Sequence, residues 1–278
     1  MPMPLFPSST RIESLKQPAA NLGLVFDKYF DGWNTSFDKV ADIDRDGKTA
    51  KSAWVGQIVK AAASADSVMI TAFAARQRAM VQVLGGSSYL ATATSRFVTG
   101  TGIANPLENG FVFHPTLGLP YLPASGLKGA LKAFWTQWHL PAADSQTKRI
   151  FGEGSGAGSA IFFDMLPVGP VHLVAEVMTP HYGPWYQNGE APGDWHSPKP
   201  IPFIAVEKGA EFQISFAPRV KAIPQTSEWT TDCAALEDVV KSALCFTGLG
   251  AKTAVGYGRF ALPAPGNLAA PQPQSAPV

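Results

Sequence analysis

EFQISFAP, residues 211–218, places Phe212, Ile214 and Phe216 two apart, the period of a half-buried β-strand. Downstream, residues of about Asp232 to Phe246 align Leu236, Val239/Val240 and Ala243/Leu244 at helical spacing. YGRFALP, from residue 257, then returns as a strand. Upstream, AIFFDML (160–166) and VHLVAEVM (171–178) read as two strands joined by a turn around ProValGlyPro at 167–170. Before them a helix runs from Ser125, its N-cap, to about His139, with Leu127, Leu131, Phe134 and Trp138 on one stripe. Ser88 to Val98 opens the series as a strand ending in ThrGlyThrGly. Stripped of insertions at 152–159 and 180–202, the order predicts an α+β fold: a ferredoxin-like, RRM-like β-α-β-β-α-β core over residues 87–262.

Residues 1–86 predict a helical N-terminal region. Trp54, Ile58 and Ala61/Ala62 fall at helical spacing, as do Met69, Phe73, Met80 and Leu84, and Gly85–Gly86 end the run. Residues 263–278, rich in Pro, Ala and Gln and without charge, predict a mobile tail. Neither the beginning of the chain nor any apolar run suggests a signal peptide or membrane span, so a soluble cytoplasmic protein is expected. The two cysteines, Cys233 and Cys245, form no CxxC pair and no disulfide framework.

Twenty-two basic against twenty-one acidic residues exclude an autonomous, strongly basic nucleic-acid binder. Distribution is less even. Residues 1–66 balance, whereas 67–107 carry Arg76, Arg78 and Arg96 without an acid, and 241–260 carry Lys241, Lys252 and Arg259 without one. Local positive fields on a neutral chain suit a protein that touches phosphates on one face and packs against partners elsewhere.

Two segments are candidates for such contact. GLGAKTAVGYGRF, residues 248–260, surrounds Lys252 and Thr253 with Gly248, Gly250, Gly256 and Gly258, and ends near Arg259. Glycines let backbone N–H groups approach an anion, although the same residues also suit a plain turn at a helix end. The spacing fits neither a P-loop nor a dinucleotide fingerprint. The second segment begins a helix with Ser125 and Gly126 and aligns Lys128 and Lys132 four apart, an anion site or an ordinary capped helix with solvated lysines. The two segments are expected to converge across the sheet.

DIDRDGKTAKSA at 42–53 starts like a calcium loop, but Ala53 stands where the bidentate glutamate belongs, so no metal is assigned. His181 lies beside Tyr182, Trp185 and Tyr186, whose rings could stack on bases or simply pack a proline-rich loop. His114 and His172 read as packing or turn residues, and no hydrolase or deaminase signature is present.

In order, TGTGIANPLENGFVFHPTLGLPYLPASGLKGALK, IFGEGSGAGSAIFFDMLP, the stretch from MTPHYGPWY through PGDW and PIPF to EFQISF, and FTGLGAKTAVGYGRF resemble the RAMP superfamily of CRISPR proteins, over about 95–261. The likeness is nearest to the sixth-subunit family of type III-B Cmr effector complexes. It implies a non-catalytic subunit without cofactor, capping the backbone filament near the 3′ end of the guide RNA and meeting target RNA indirectly. Partners would be the other Cmr-type backbone and small subunits. By the same likeness, Ser125, Gly126 and Lys128 fall on a helix-start motif, and Gly248, Gly250, Lys252, Gly256 and Gly258 on a glycine-rich loop, that contact guide RNA. Lys132, Thr253 and Arg259 join them on charge and position. Two rivals stand beside this expectation: a metal-independent guide-processing ribonuclease using His181 or His114, and a protein-only assembly module.

Overall fold

A computed structural model of the chain describes residues 21–34, 36, 39–40, 49–62, 67–138, 144–180, 182–193, 195–196, 198–219 and 227–262. The 263–278 tail, most of the calcium-like stretch, His139 and His181 lie outside the described residues.

The helices are α1 (Leu22–Lys28), α2 (Ala50–Ala61), α3 (Ser67–Val83), α4 (Ala124–Trp138), α5 (Asp144–Phe151), α6 (Gly183–Asn188) and α7 (Ser227–Phe246). The strands are β1 (Ser87–Ala93), β2 (Ala160–Phe162), β3 (Leu166–Pro167), β4 (Leu173–Met178), β5 (Ile201–Val206), β6 (Glu211–Pro218) and β7 (Phe260–Ala261). An antiparallel sheet runs β2-β6-β1-β7, with β3 extending β2 along the same side of β6. β6 is flanked on both sides, by β1 and by β2 with β3.

Phe212, Ile214 and Phe216 point to the side covered by α4 and α7, where Leu127, Leu131, Leu236, Val239 and Val240 complete one apolar cluster. The opposite side is not left to solvent. There α3 lies over the sheet, so β6 is buried on both faces beyond its first residue. Gln213 donates to Gln77 Oε1 at 2.8 Å and accepts from Arg78 Nε at 3.1 Å, while Ser88 and Ser215 share a 2.8 Å hydrogen bond. These bonds satisfy polar groups that burial would otherwise penalise by about 1–3 kcal/mol each.

Three expectations need correction. The buried stripe of α3 is Ile70, Ala74, Gln77 and Val81, not Met69 and Met80, which are exposed. That stripe meets the polar side of β6, so its Gln carries no hydropathic signal. Second, 160–166 and 171–178 do not share a hairpin: β4 leaves the main sheet and pairs with β5, from Leu173↔Val206 to Met178↔Ile201. Third, Ser125 is not the N-cap of α4. The helix already includes Ala124, whose N–H donates to the Asp164 carboxylate at 2.7 Å.

The first helices join the same core. Val25, Phe26, Trp54, Val55 and Ile58 belong to the apolar cluster of the sheet, and α2 packs on the β4–β5 hairpin. Asn21 caps α1 by accepting from Leu24 N–H, and its amide donates to the Pro115 and Thr116 carbonyls, fastening the segment to the loop before α4. α3 ends as expected at Gly85, in the left-handed region with φ 77°.

Candidate nucleic-acid interface

The glycine-rich loop leaves α7 and returns as β7 by folding back on residues 95–98. Gly258 N–H donates to the Arg96 carbonyl at 2.8 Å, Ala251 N–H to the Val98 carbonyl at 2.7 Å, and Leu249 N–H to the Gly258 carbonyl at 2.8 Å. This close approach explains two glycines. A Cβ on Gly250 would lie 2.3 Å from the Val98 oxygen, and one on Gly258 would lie 1.9 Å from the Leu249 oxygen. A Cβ on Gly248 would meet the Arg259 guanidinium. Gly256 differs: its φ is 96°, yet a Cβ there would meet open space.

The loop's cations are held by the loop and its neighbours. Arg259 donates from Nη1 to the carbonyls of Thr247 and Tyr257, at 2.6 and 3.2 Å, and from Nη2 to that of Thr253 at 3.2 Å. It is therefore an internal staple. Lys252, itself left-handed at φ 58°, packs its ammonium 5.0 Å from the centre of the Phe203 ring and 2.9 Å from Met178 Sδ. The exposed tip is Ala254–Gly256, with Thr253 half-buried where the 3-10 turn begins.

At the other segment, Ser125 and Gly126 are exposed in the first turn of α4. The first turn is already occupied: Ala124 N–H goes to Asp164, and the amides of Gly126 and Leu127 go to the Pro123 carbonyl. Asp164 also brings negative charge to a helix end that would otherwise favour an anion. Lys132 donates to the Gly152 carbonyl at 3.1 Å. Lys128 is half-buried, and among the described residues its ammonium has no hydrogen-bond or ion-pair partner.

The two segments do not meet. α4 begins beside β3, at one edge of the sheet, whereas the glycine loop leads into β7, at the other. Three strand spacings lie between, roughly 14 Å at about 4.8 Å each. Two cations without an acid in their own stretch of sequence, Arg96 and Lys241, are opposed in space. Arg96 pairs with Glu176 and, at 3.2 Å, with Glu207, and Lys241 pairs with Glu237 at 3.6 Å. Arg76 lies over the Phe73 ring.

His114 occupies a turn. Its Nδ1 accepts from the N–H groups of Thr116 and Leu117, both at 3.3 Å, and its ring packs against Phe73 and Tyr121. With Nδ1 accepting, the neutral ring carries its proton on Nε2. Burial holds its pKa below the ordinary histidine value, against an upward pull from Asp164. His172 is exposed, and its carbonyl accepts from Glu207 N–H.

Sequence reasoning missed Asp164, Met178, Phe203 and the 95–98 segment as the setting of these loops. ThrGlyThrGly at 99–102 was the available sign that the chain turns sharply beside them. No described helix is long and apolar enough to cross a membrane.

The sequence pattern of the RAMP superfamily matches residues 90–261, from within β1 through β7 and so across both candidate segments. The chain belongs to the RAMP superfamily. Within it, the chain is 36% identical over 131 residues to the CRISPR system Cmr subunit Cmr6 of Pyrococcus furiosus, covering 44% of this chain and 36% of that protein. It is 27% identical over 157 residues to the Cmr6 subunit of Saccharolobus solfataricus, covering 56% and 49%. The matches thus span between about a third and a half of the length of these relatives. In three dimensions the fold is similar to a chain of the Type III-B Cmr-beta complex bound to cognate target RNA, solved by cryo-EM. That likeness has a TM-score of 0.62 at 19% identity and covers 90% of this chain and 93% of the other.

Proposed function

We propose that this RAMP protein is a non-catalytic, RNA-binding structural subunit of a type III-B CRISPR effector complex, serving antiviral defence in the cytoplasm. It would cap the backbone filament near the 3′ end of the guide RNA, beside backbone and small Cmr subunits, and meet target RNA through the guide. The observation that carries this reading is that two proteins similar in sequence to this chain are Cmr6 subunits, while the superfamily pattern covers β1 to β7 here. The strand order β2-β6-β1-β7, with α4 and α7 on one side, supports taking the core as ferredoxin-like β-α-β-β-α-β.

Because α3 covers the face on which RRM-type sheets stack bases, guide contact falls to the sheet's edges. Lys128, beside Ser125 and Gly126, serves one edge. The Thr253–Gly256 tip, carried by Lys252 and the flanking glycines, serves the other. Base pairing, not this chain, would supply sequence discrimination. The non-catalytic part of the reading is supported by His114, whose Nδ1 is committed to its own turn.

The test is guide retention in the reconstituted complex across a salt series. Replacing Lys128 and Lys252 together by Ala should weaken retention and flatten the salt slope by roughly 0.7 per lost phosphate contact on a single strand. Retention and slope equal to those of the unaltered complex would overturn the reading.

A further inference from the structure

Four large aromatic side chains stand out on the surface: Tyr182, Trp185, Tyr186 and Trp195 are 42, 48, 80 and 77% exposed. All lie in the connection between β4 and β5, beyond the Met178↔Ile201 pair. Backbone hydrogen bonds shape this connection. Lys199 N–H closes its neck on the Pro180 carbonyl at 3.2 Å, and Tyr186 N–H reaches the Tyr182 carbonyl at 3.2 Å. α6 carries a proline at its start and stops at Gly189, whose φ is 70° and whose N–H donates to the Trp185 carbonyl at 3.0 Å. His196 adds a 3.2 Å contact from its ring to the Ala191 carbonyl. Trp185 and Tyr186 are thus presented on a hydrogen-bonded helical turn, which lowers the entropy lost on docking.

Two kinds of partner use exposed aromatics. Single-stranded RNA stacks bases on them, but such platforms come with cations that follow the phosphates. Here residues 179–200 contain Glu190 and Asp194 against Lys199, a net charge of −1 with histidines neutral. Lys199 is itself 3.6 Å from Glu108. On the adjoining strand, Glu176 holds Arg96, and the cation at the neck, Lys252 on Met178, lies over the Phe203 ring at the base of the hairpin, not at its tip. Aromatic-rich, lysine-poor surface is the composition of a protein–protein interface centre, where Trp and Tyr are the usual anchors.

We infer that the tip of the β4–β5 hairpin is an aromatic wedge that inserts Trp185 and Tyr186 into an apolar, basic-rimmed pocket on a neighbouring protein subunit. The inference rests on the reading of this chain as a member of a multi-subunit complex. It adds the surface used and the chemistry of the surface it meets.

The experiment co-expresses the full chain with the remaining subunits of its complex and guide RNA, and measures association by pull-down and RNA contact by photocrosslinking. Trp185→Ala with Tyr186→Ala should leave the thermal midpoint of the isolated chain nearly unchanged, since neither side chain belongs to an apolar cluster of the fold. The same pair should lower association by at least about tenfold. That loss should persist at high salt, where phosphate contacts have already weakened. Undiminished association of the double variant would overturn the wedge. So would undiminished association with loss of RNA crosslinks, which would make the aromatics a stacking platform. A wild-type chain that joins none of the subunits would overturn the subunit reading itself, and the wedge with it.

Discussion

Arg259 donates from Nη1 to the main-chain oxygen of Thr247 at 2.6 Å, closing the glycine-rich loop from inside. Position alone would make this arginine a phosphate ligand. Its donors are instead spent on three carbonyls of the loop, so its removal should act on stability before it acts on RNA.

Arg259→Ala is expected to destabilise the fold by roughly 1.5–3 kcal/mol, the usual range for lost hydrogen bonds to a charged group. Lys128→Ala should do the reverse, leaving stability nearly unchanged and lowering the salt dependence of guide retention. Denaturant unfolding of each variant, paired with a salt series on the assembled complex, separates the two. A stable Arg259→Ala chain with a flattened salt slope would return Arg259 to the phosphates.

Glycines of the same loop should divide in the same way. At Gly258 a Cβ would strike the Leu249 oxygen, and φ is 73°, so Gly258→Ala meets both a clash and left-handed strain. At Gly256 only the strain applies, roughly 1–2 kcal/mol. Thermal melting should therefore rank Gly258→Ala well below Gly256→Ala. Equal losses would mean that the loop does not approach residue 249 as closely as described.

Arg149 and Asp232 tie α5 to α7. The carboxylate is buried and receives Arg149 Nε at 3.0 Å, Nη2 at 2.6 Å and Gln146 Nε2 at 3.0 Å. Arg149→Ala would leave that buried charge with Gln146 as its remaining side-chain donor among the described contacts, a loss of roughly 2–3 kcal/mol. Chemical denaturation gives the value directly. A loss below about 0.5 kcal/mol would place the pair with ordinary surface ion pairs.

β6 and α7 were legible in the sequence because their apolar residues recur at periods of two and of three to four, with no need to know a partner. α3 was not. It buries Ala74 and Gln77 against a polar sheet face, and a hydropathic pattern cannot weigh Gln77 without Gln213, 136 residues away. The β4–β5 pairing was hidden for a related reason: β5 is a continuous apolar run without alternation, following a stretch read as irregular, and nothing local says that 173–178 leaves its sequence neighbour to meet 201–206. For the candidate site, the glycines were visible and their use was not. Gly250 and Gly258 serve the chain's own approach to residues 98 and 249, a relation written only in the fold. Asp164, the cap of α4, comes from 40 residues away and so displaced Ser125 from the role its local setting suggested.

The turn at His114 makes a pH prediction whose sign follows from burial. In the unfolded chain this imidazole takes up a proton near its ordinary value of 6.5, whereas in the fold burial, only partly offset by Asp164, delays that uptake to lower pH. Below about pH 6.5 the unfolded state therefore binds more protons, and stability falls as pH drops towards the folded pKa. Protonation of Nδ1 would also break the two hydrogen bonds from Thr116 and Leu117. His114→Asn can keep an acceptor in the turn without titrating. Its urea midpoint should change less between about pH 7 and 5 than that of the wild type. Parallel midpoints would assign the acid sensitivity to other groups. The same bonds bear on the nuclease alternative: with Nε2 protonated and Nδ1 engaged, the neutral ring can donate a hydrogen bond but has no free lone pair to accept a 2′-hydroxyl proton. Cleavage of repeat RNA that disappears in His114→Asn at neutral pH would contradict both the tautomer and the non-catalytic reading.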